Sequence, residues 1–199
     1  MPISSRRSRL LVLLLALVAL TPGPVVARVR GGEAVEVCVL VPRVEPLDEG
    51  DAFGDVPTAT PALVVVEPLH QVRIEEPSGQ LLWQRSAAGV DPLPMPLAWP
   101  LPPLQPDEEI LLRLQPVGAA ADAYAHVRLR ASGAARLKAT AELIASLASD
   151  QQAWLAALRT ALTAGDVPLA WSLLYAPQAP ATGPLLELRQ ELVRRGCGG

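Results

Sequence analysis

Near Gly133 the spacing of apolar residues changes period, and this limits the fold more than any other feature of the 199-residue chain. Before that point, short alternating runs are separated by proline and glycine. After it, alanine and leucine recur every three or four positions. A period of two suits a strand with one buried face, and a period of about 3.6 suits a helix with one buried stripe. The expected class is therefore α+β, with a strand region over 28–132 and a helical region over 133–199.

The first strand is expected over 34–41, with Val35, Val37, Val39 and Val41 on one face. Residues 43–60 are expected as a long loop. Further strands are expected over 62–67 and over 71–76, where Val72 and Ile74 point inward. Pro77-Ser78-Gly79 then turns the chain into 81–85, with Trp83 at its middle. Two later strands fall over 109–114 and 123–130. In the last, Ala125, Val127 and Leu129 alternate with His126, Arg128 and Arg130. Short strands at this spacing predict a small antiparallel β-sandwich of the immunoglobulin or fibronectin III kind. In 91–106, Pro92, Pro94 and Pro96 fall on alternate positions. That pattern fits either a proline-blocked edge strand or a polyproline stretch.

Four helices are expected. Residues 134–148 carry Leu137, Ala141, Ile144 and Leu147 on one stripe. Ser149 or Asp150 caps the next, which runs to about residue 164 with Trp154, Leu155, Leu158 and Leu162 inward. Gly165 ends it, and Asp166 with Pro168 begins a third containing Trp171, Leu174 and Tyr175. Thr182 and Pro184 begin a fourth, through about residue 195. Residues 154–175 form a helical hairpin in this reading. One such unit is too few for a solenoid.

The first 27 residues stand apart. Arg6, Arg7 and Arg9 precede an unbroken apolar run over 10–20, and Thr21, Pro22, Gly23 and Pro24 then break any helix. Val25-Val26-Ala27 follows at the position a signal peptidase reads. The apolar run is well short of the roughly 20 residues a spanning helix needs. Residues 1–27 therefore read as a cleavable signal peptide, and the mature chain as exported, periplasmic or extracellular. Cleavage takes three arginines and no acid from a formal net charge of −3, leaving −6. A field of that sign does not draw nucleic acid or anionic lipid. No later stretch is long and apolar enough to span a membrane.

Residues able to do chemistry are sparse. His70 and His126 are the only histidines, and no zinc-binding spacing is present. There is no G-x-S-x-G elbow and no glycine-rich phosphate loop. Cys38 lies between valines, where a thiolate is disfavoured. The acidic stretch 45–55 holds Asp48, Asp51 and Asp55 but lacks the spacing of a calcium loop. Trp99, set among prolines, is the better exposed of the two strand-region tryptophans in this reading. Together Trp99, Asp48, Asp51 and Asp55 form the candidate partner-binding surface. Cys38 and Cys197 are a candidate disulfide in an oxidising compartment. A core cysteine with a free or intermolecular tail thiol is the alternative.

Several segments resemble an uncharacterised family of exported cyanobacterial proteins, a domain of unknown function. They are Ile74-Glu75-Glu76-Pro77-Ser78-Gly79-Gln80-Leu81-Leu82-Trp83, Leu101-Pro102-Pro103-Leu104, Ile110-Leu111-Leu112-Arg113-Leu114, Tyr124-Ala125-His126-Val127-Arg128 and Ala170-Trp171-Ser172-Leu173-Leu174-Tyr175. The resemblance covers roughly residues 55–176 and implies a signal peptide, a sandwich-like region and a helical end. Residues 101–114 also resemble the turn before a strand in fibronectin type III-like sandwiches, with Ile110 where tyrosine is usual.

The expected function is that of an exported, non-enzymatic envelope protein, a structural or protein-interaction module with no cofactor and no metal. Its partner is an unnamed envelope protein. The alternative is a secreted hydrolase or a calcium-dependent carbohydrate binder using the acidic loop. Carboxylates of Asp48, Asp51 and Asp55 converging beside Trp99 would mark that alternative. N-terminal sequencing of the exported protein is expected to begin at Arg28. An envelope form that still starts at Met1 would contradict the signal-peptide reading.

Overall fold

The computed structural model describes residues 25–27, 35–47, 51–89 and 91–196. Ten strands precede four helices among these residues. The strands are β1 (Val25–Ala27), β2 (Val35–Val37), β3 (Val39–Val41), β4 (Glu45–Pro46), β5 (Ala52–Val56), β6 (Val64–Val65), β7 (Leu69–Glu75), β8 (Leu81–Ser86), β9 (Glu109–Pro116) and β10 (Ala125–Ala131). The helices are α1 (Ala134–Leu147), α2 (Gln151–Thr163), α3 (Val167–Leu174) and α4 (Gly183–Arg195). The chain is α+β, with a β-rich N-terminal region and C-terminal helices. No helix of the described residues is long and apolar enough to cross a membrane.

Most of the proposed signal segment lies outside the described residues. Its last three residues form β1, which pairs antiparallel with β2, Val26 opposite Glu36. Cleavage after Ala27 would remove this strand and leave that edge of β2 vacant.

Six strands build one mixed sheet in the order β4-β5-β10-β9-β7-β8. Only β5 and β10 run parallel; the other neighbours are antiparallel. The ribbons β1–β2 and β3–β6 are separate two-stranded sheets. One face of the large sheet carries Val72, Ile74, Ile110, Leu112, Leu114, Val127 and Leu129, all buried. The alternation read along 123–130 is responsible: its apolar positions point inward, and Arg128 and Arg130 are exposed.

Three expectations change. Residues 43–60 are not a loop throughout, because β4 and β5 lie within them. In β5 the inward positions are Ala52, Gly54 and Val56. Small and acidic residues hide its period. Gly54 is required there, since a Cβ would sit 2.7 Å from the Arg43 carbonyl oxygen. The run 34–41 is also two strands instead of one. Val35, Val37 and Val39 join the sheet core, whereas Val41 joins the helical core after a register shift between Val39 and Val41. Lastly, 91–106 forms no named strand. Leu97 makes an isolated bridge with Leu63, and the Leu93 N–H donates to the Leu69 carbonyl at 2.9 Å. Both leucines are buried, which holds the proline segment on the sheet core.

The helix starts follow the expected caps. Asp150 accepts from the N–H groups of Gln152 and Ala153 at 2.9 and 3.3 Å. Asp166 accepts from the Leu169 N–H at 3.2 Å and from Arg136 Nη2 at 2.7 Å, tying α1 to the start of α3. Gly165, at φ +73°, supplies the left-handed residue between α2 and α3. Arg189 on α4 donates to the Leu174 carbonyl at 2.6 Å, filling an acceptor that the end of α3 leaves open. Burial holds the Tyr175 phenol above its ordinary range and the Arg189 guanidinium below its own.

The two cores share the β2–β3 run. Val35, Val37 and Val39 pack with the large sheet. Cys38, Leu40 and Val41 pack with Trp154, Leu158, Trp171 and Leu188. This stretch is therefore a wall common to both cores. Leu40→Ala is expected to cost about 2–5 kcal/mol, the range for truncating a buried leucine. Far-UV circular dichroism and tryptophan fluorescence should then report one shared urea transition, shifted lower. Two separated transitions would contradict the common wall.

Candidate functional site

The outer face of the large sheet holds most of the polar side chains singled out from the sequence. Pairing sets them in a row. His126 on β10 stands opposite Arg113 on β9, Arg113 opposite Arg73 on β7, and Arg73 opposite Gln84 on β8. Asp51, just before β5, completes the row, its Oδ1 3.7 Å from His126 Nδ1. Arg113 Nη1 donates to His126 Nε2 at 2.9 Å, and Arg113 Nε donates to the buried Glu75 carboxylate at 2.6 Å. The chain carboxylate–imidazole–guanidinium–carboxylate thus crosses three strands and the start of a fourth.

A second set lies one row along. Tyr124 Oη donates to Gln71 Oε1 at 2.5 Å, which also accepts from Arg73 Nε at 2.8 Å. Gln71 Nε2 donates to Ser86 Oγ at 2.7 Å. The Arg73 guanidinium lies 5.0 Å from the Tyr124 ring centre. These contacts satisfy buried or half-buried polar groups on a sheet face. His126 Nε2 is occupied by Arg113.

The acidic residues do not converge. Asp48 lies outside the described residues. Asp51 faces His126, and Asp55 accepts from the Ser132 hydroxyl at 2.8 Å. Four strand positions separate the two, a span of roughly 13 Å. Trp99 is on the other side of the sheet, packed against the sheet core beside Ile74 and Leu112. Its Nε1 donates to the Pro102 carbonyl at 3.1 Å. Among the described residues no group of three or more His, Cys, Asp or Glu side chains is placed to hold a metal ion.

Cys38 is buried and disulfide-bonded. Its N–H donates to the Glu67 carboxylate at 2.6 Å, and its carbonyl accepts from the Val66 N–H at 3.0 Å. Cys197 lies outside the described residues.

Two open features remain that the sequence reading did not single out. One is the outer edge of β8. The Ala87 N–H donates to the His70 carbonyl at 2.7 Å. Antiparallel alternation then points the N–H groups of Arg85 and Trp83 at β7, and those of Ser86 and Gln84 outward; a register shift between the Ile74–Trp83 and Glu75–Leu81 pairs ends that alternation at Leu82. The other is a cleft of about 320 Å³ between α1, the 58–62 segment and the end of α3. Ser172 stands at its wall, and a lone hydroxyl within an apolar helix was the sequence sign available for it.

No family model matches the chain, and neither a curated protein nor a solved structure matches it.

His126 gives a pH prediction. Burial first, and then the neighbouring Arg113, hold its pKa below the ordinary histidine value, against the opposing pull of Asp51 and Glu75. The unfolded chain therefore binds the proton more readily than the folded one below about pH 6.5. Stability from this group is present above that pH and is lost as pH falls. The urea midpoint of the native protein should drop more between pH 7 and pH 5 than that of His126→Gln, which can still accept from Arg113 but does not titrate. Parallel pH profiles for the two would contradict this.

Proposed function

We propose that this protein is an exported, non-catalytic module of the cell envelope that holds a partner protein by strand addition at the outer edge of β8. The observation that carries the reading is the asymmetry of the sheet edges. At one end, β4 is only two residues long and includes Pro46. Such an edge resists further pairing. At the other end, β8 is six residues long, largely exposed, and has no proline or lysine. Its outer side makes no backbone hydrogen bond among the described residues. Leu81 there is 51% exposed. An extended partner segment would satisfy the outward groups of Gln84 and Ser86 and cover Leu81.

Other features support parts of the proposal. The charge, apolar run and small residues of 1–27 support export. A disulfide-bonded Cys38 supports an oxidising compartment. We take its partner to be Cys197, the only other cysteine. A Cβ on Gly196 would lie 3.5 Å from Val66 Cγ1, and the Val66 N–H donates a hydrogen bond to the Cys38 carbonyl. The chain thus reaches the neighbourhood of Cys38 one residue before Cys197. We read the β-rich half as a small sandwich of the immunoglobulin or fibronectin III kind. In that reading the two ribbons lie over the inner face of the large sheet, and the parallel β5–β10 pair is a departure from the usual antiparallel pattern. The resemblance to exported cyanobacterial proteins agrees with both compartment and architecture.

The test uses a photoreactive residue at Ser86 in living cells, followed by purification of the cross-linked pair and hydrogen exchange on the unlinked complex. The expected result is one envelope polypeptide, with exchange slowed at the amides of Gln84 and Ser86. Gln84→Pro removes only an outward donor and should abolish capture while the thermal midpoint stays near that of the native chain. Capture without slowed exchange would overturn strand addition. Dimers of this chain alone would overturn the envelope partner. Thiol titration of the denatured, unreduced exported monomer should find no free thiol. Two per chain would overturn the Cys38–Cys197 pairing.

A further inference from the structure

The cleft at the seam of the two cores has the makings of a ligand site, on grounds independent of the β8 edge. Helix α1 is thinly packed: only Thr140 and Leu147 are buried along its fourteen residues. Leu137 leans on the sheet core and Ile144 on the helical core. Between them the stripe expected from the sequence borders open space of about 320 Å³. Packed interiors leave few voids larger than a water molecule, and ligand pockets begin at roughly 300 Å³. This space is therefore a pocket in scale.

Its chemistry is narrow. Leu137, Ala141, Ile144 and Ala145 give an apolar wall, Thr58, Thr60 and Gln178 add neutral polar groups, and no lining side chain is ionisable. Ser172 from α3 also lines the cleft. It is only 7% exposed, and its hydroxyl has no hydrogen-bond partner among the described residues. A helical serine usually returns its hydroxyl to a carbonyl one turn back. Among the described residues the buried side-chain atoms left without a partner are Arg43 Nη1, Trp171 Nε1 and Arg189 Nη2; Ser172 Oγ is not one of them, so the hydroxyl is accessible from the cleft and a ligand group can replace water on it. A charged ligand would lose its hydration in this cleft with no counter-charge to replace it.

We propose that the cleft between α1, the 58–62 segment and α3 binds an uncharged, mainly apolar small molecule whose one hydroxyl or carbonyl group pairs with the Ser172 hydroxyl. The walls select by size and by absence of charge, and Ser172 sets the orientation.

The test titrates the purified full chain with the neutral fluorophore N-phenyl-1-naphthylamine, then displaces it with 1-octanol or with octanoate at pH 8. Saturable binding of one probe per chain is expected. Octanol should displace it at least tenfold more effectively than octanoate. Ser172→Ala should weaken octanol about threefold to tenfold, the worth of one neutral hydrogen bond, while probe binding persists. Ala141→Phe fills the cleft and should abolish probe binding. Should that variant fail to fold, Ala145→Leu on the same wall takes its place. The proposal is overturned by absence of saturable binding, by equal displacement by octanol and octanoate, or by probe binding that survives in the folded filled variant. An unchanged octanol affinity in Ser172→Ala overturns the role given to the hydroxyl.

Discussion

Burial on both sides of the Val35–Val41 run is the constraint on which the rest of the structure depends. A strand normally buries one face, so alternation normally separates core from solvent. Here Val35, Val37 and Val39 serve the sheet core, while Cys38, Leu40 and Val41 serve the helices. The helical half draws part of its core from this run and from Val64. It is therefore not an appendage joined only at Gly133. Alternation alone turns Cys38 and Leu40 to the helices, and the register shift between Val39 and Val41 turns Val41 to the same side. The exposed end of the same arrangement is the seam, where α1 spans both cores without filling the gap between them.

The outer face of the sheet illustrates how polar groups can be conspicuous in sequence and yet structurally occupied. His126 has a carboxylate near one ring nitrogen and a guanidinium on the other. Arg113 thus occupies Nε2, while Nδ1 has only the more distant Asp51 carboxylate. Tyr124, Gln71, Arg73 and Ser86 likewise satisfy one another. Among the described residues Arg43 Nη1, Trp171 Nε1 and Arg189 Nη2 are buried without a partner, but the unsatisfied capacity open to a ligand or chain lies on the outer amides of β8 and at the Ser172 hydroxyl. Both are places where hydrogen-bonding groups have been brought to a surface without a partner, which is the condition that favours recruiting one.

Regular periodicity made much of the architecture legible. The strands β7 to β10 and all four helices stand close to where alternation, turn residues and caps put them, because each is governed by neighbours a few positions away. Asp150, Gly165 and Asp166 act locally and were readable for that reason. β5 was not readable. Its Gly54 is dictated by the approach of the Arg43 carbonyl, and its parallel pairing with β10 joins residues more than seventy positions apart. The acidic loop suggested a cluster, but Asp51 and Asp55 took partners from β10 and from Ser132, between β10 and α1.

What the sequence determined by itself was period, punctuation and charge: strands before Gly133, helices after it, and caps at named residues. Those are properties of short windows, fixed by backbone geometry and by the cost of exposing apolar side chains. What only the tertiary structure decided was which faces meet. The division of Val35–Val41 between two cores, the open edge of β8 and the cleft beside Ser172 all arise from contacts between distant segments. No local pattern encodes them, because a buried valine has the same chemistry in either core and an unpaired amide the same sequence as a paired one.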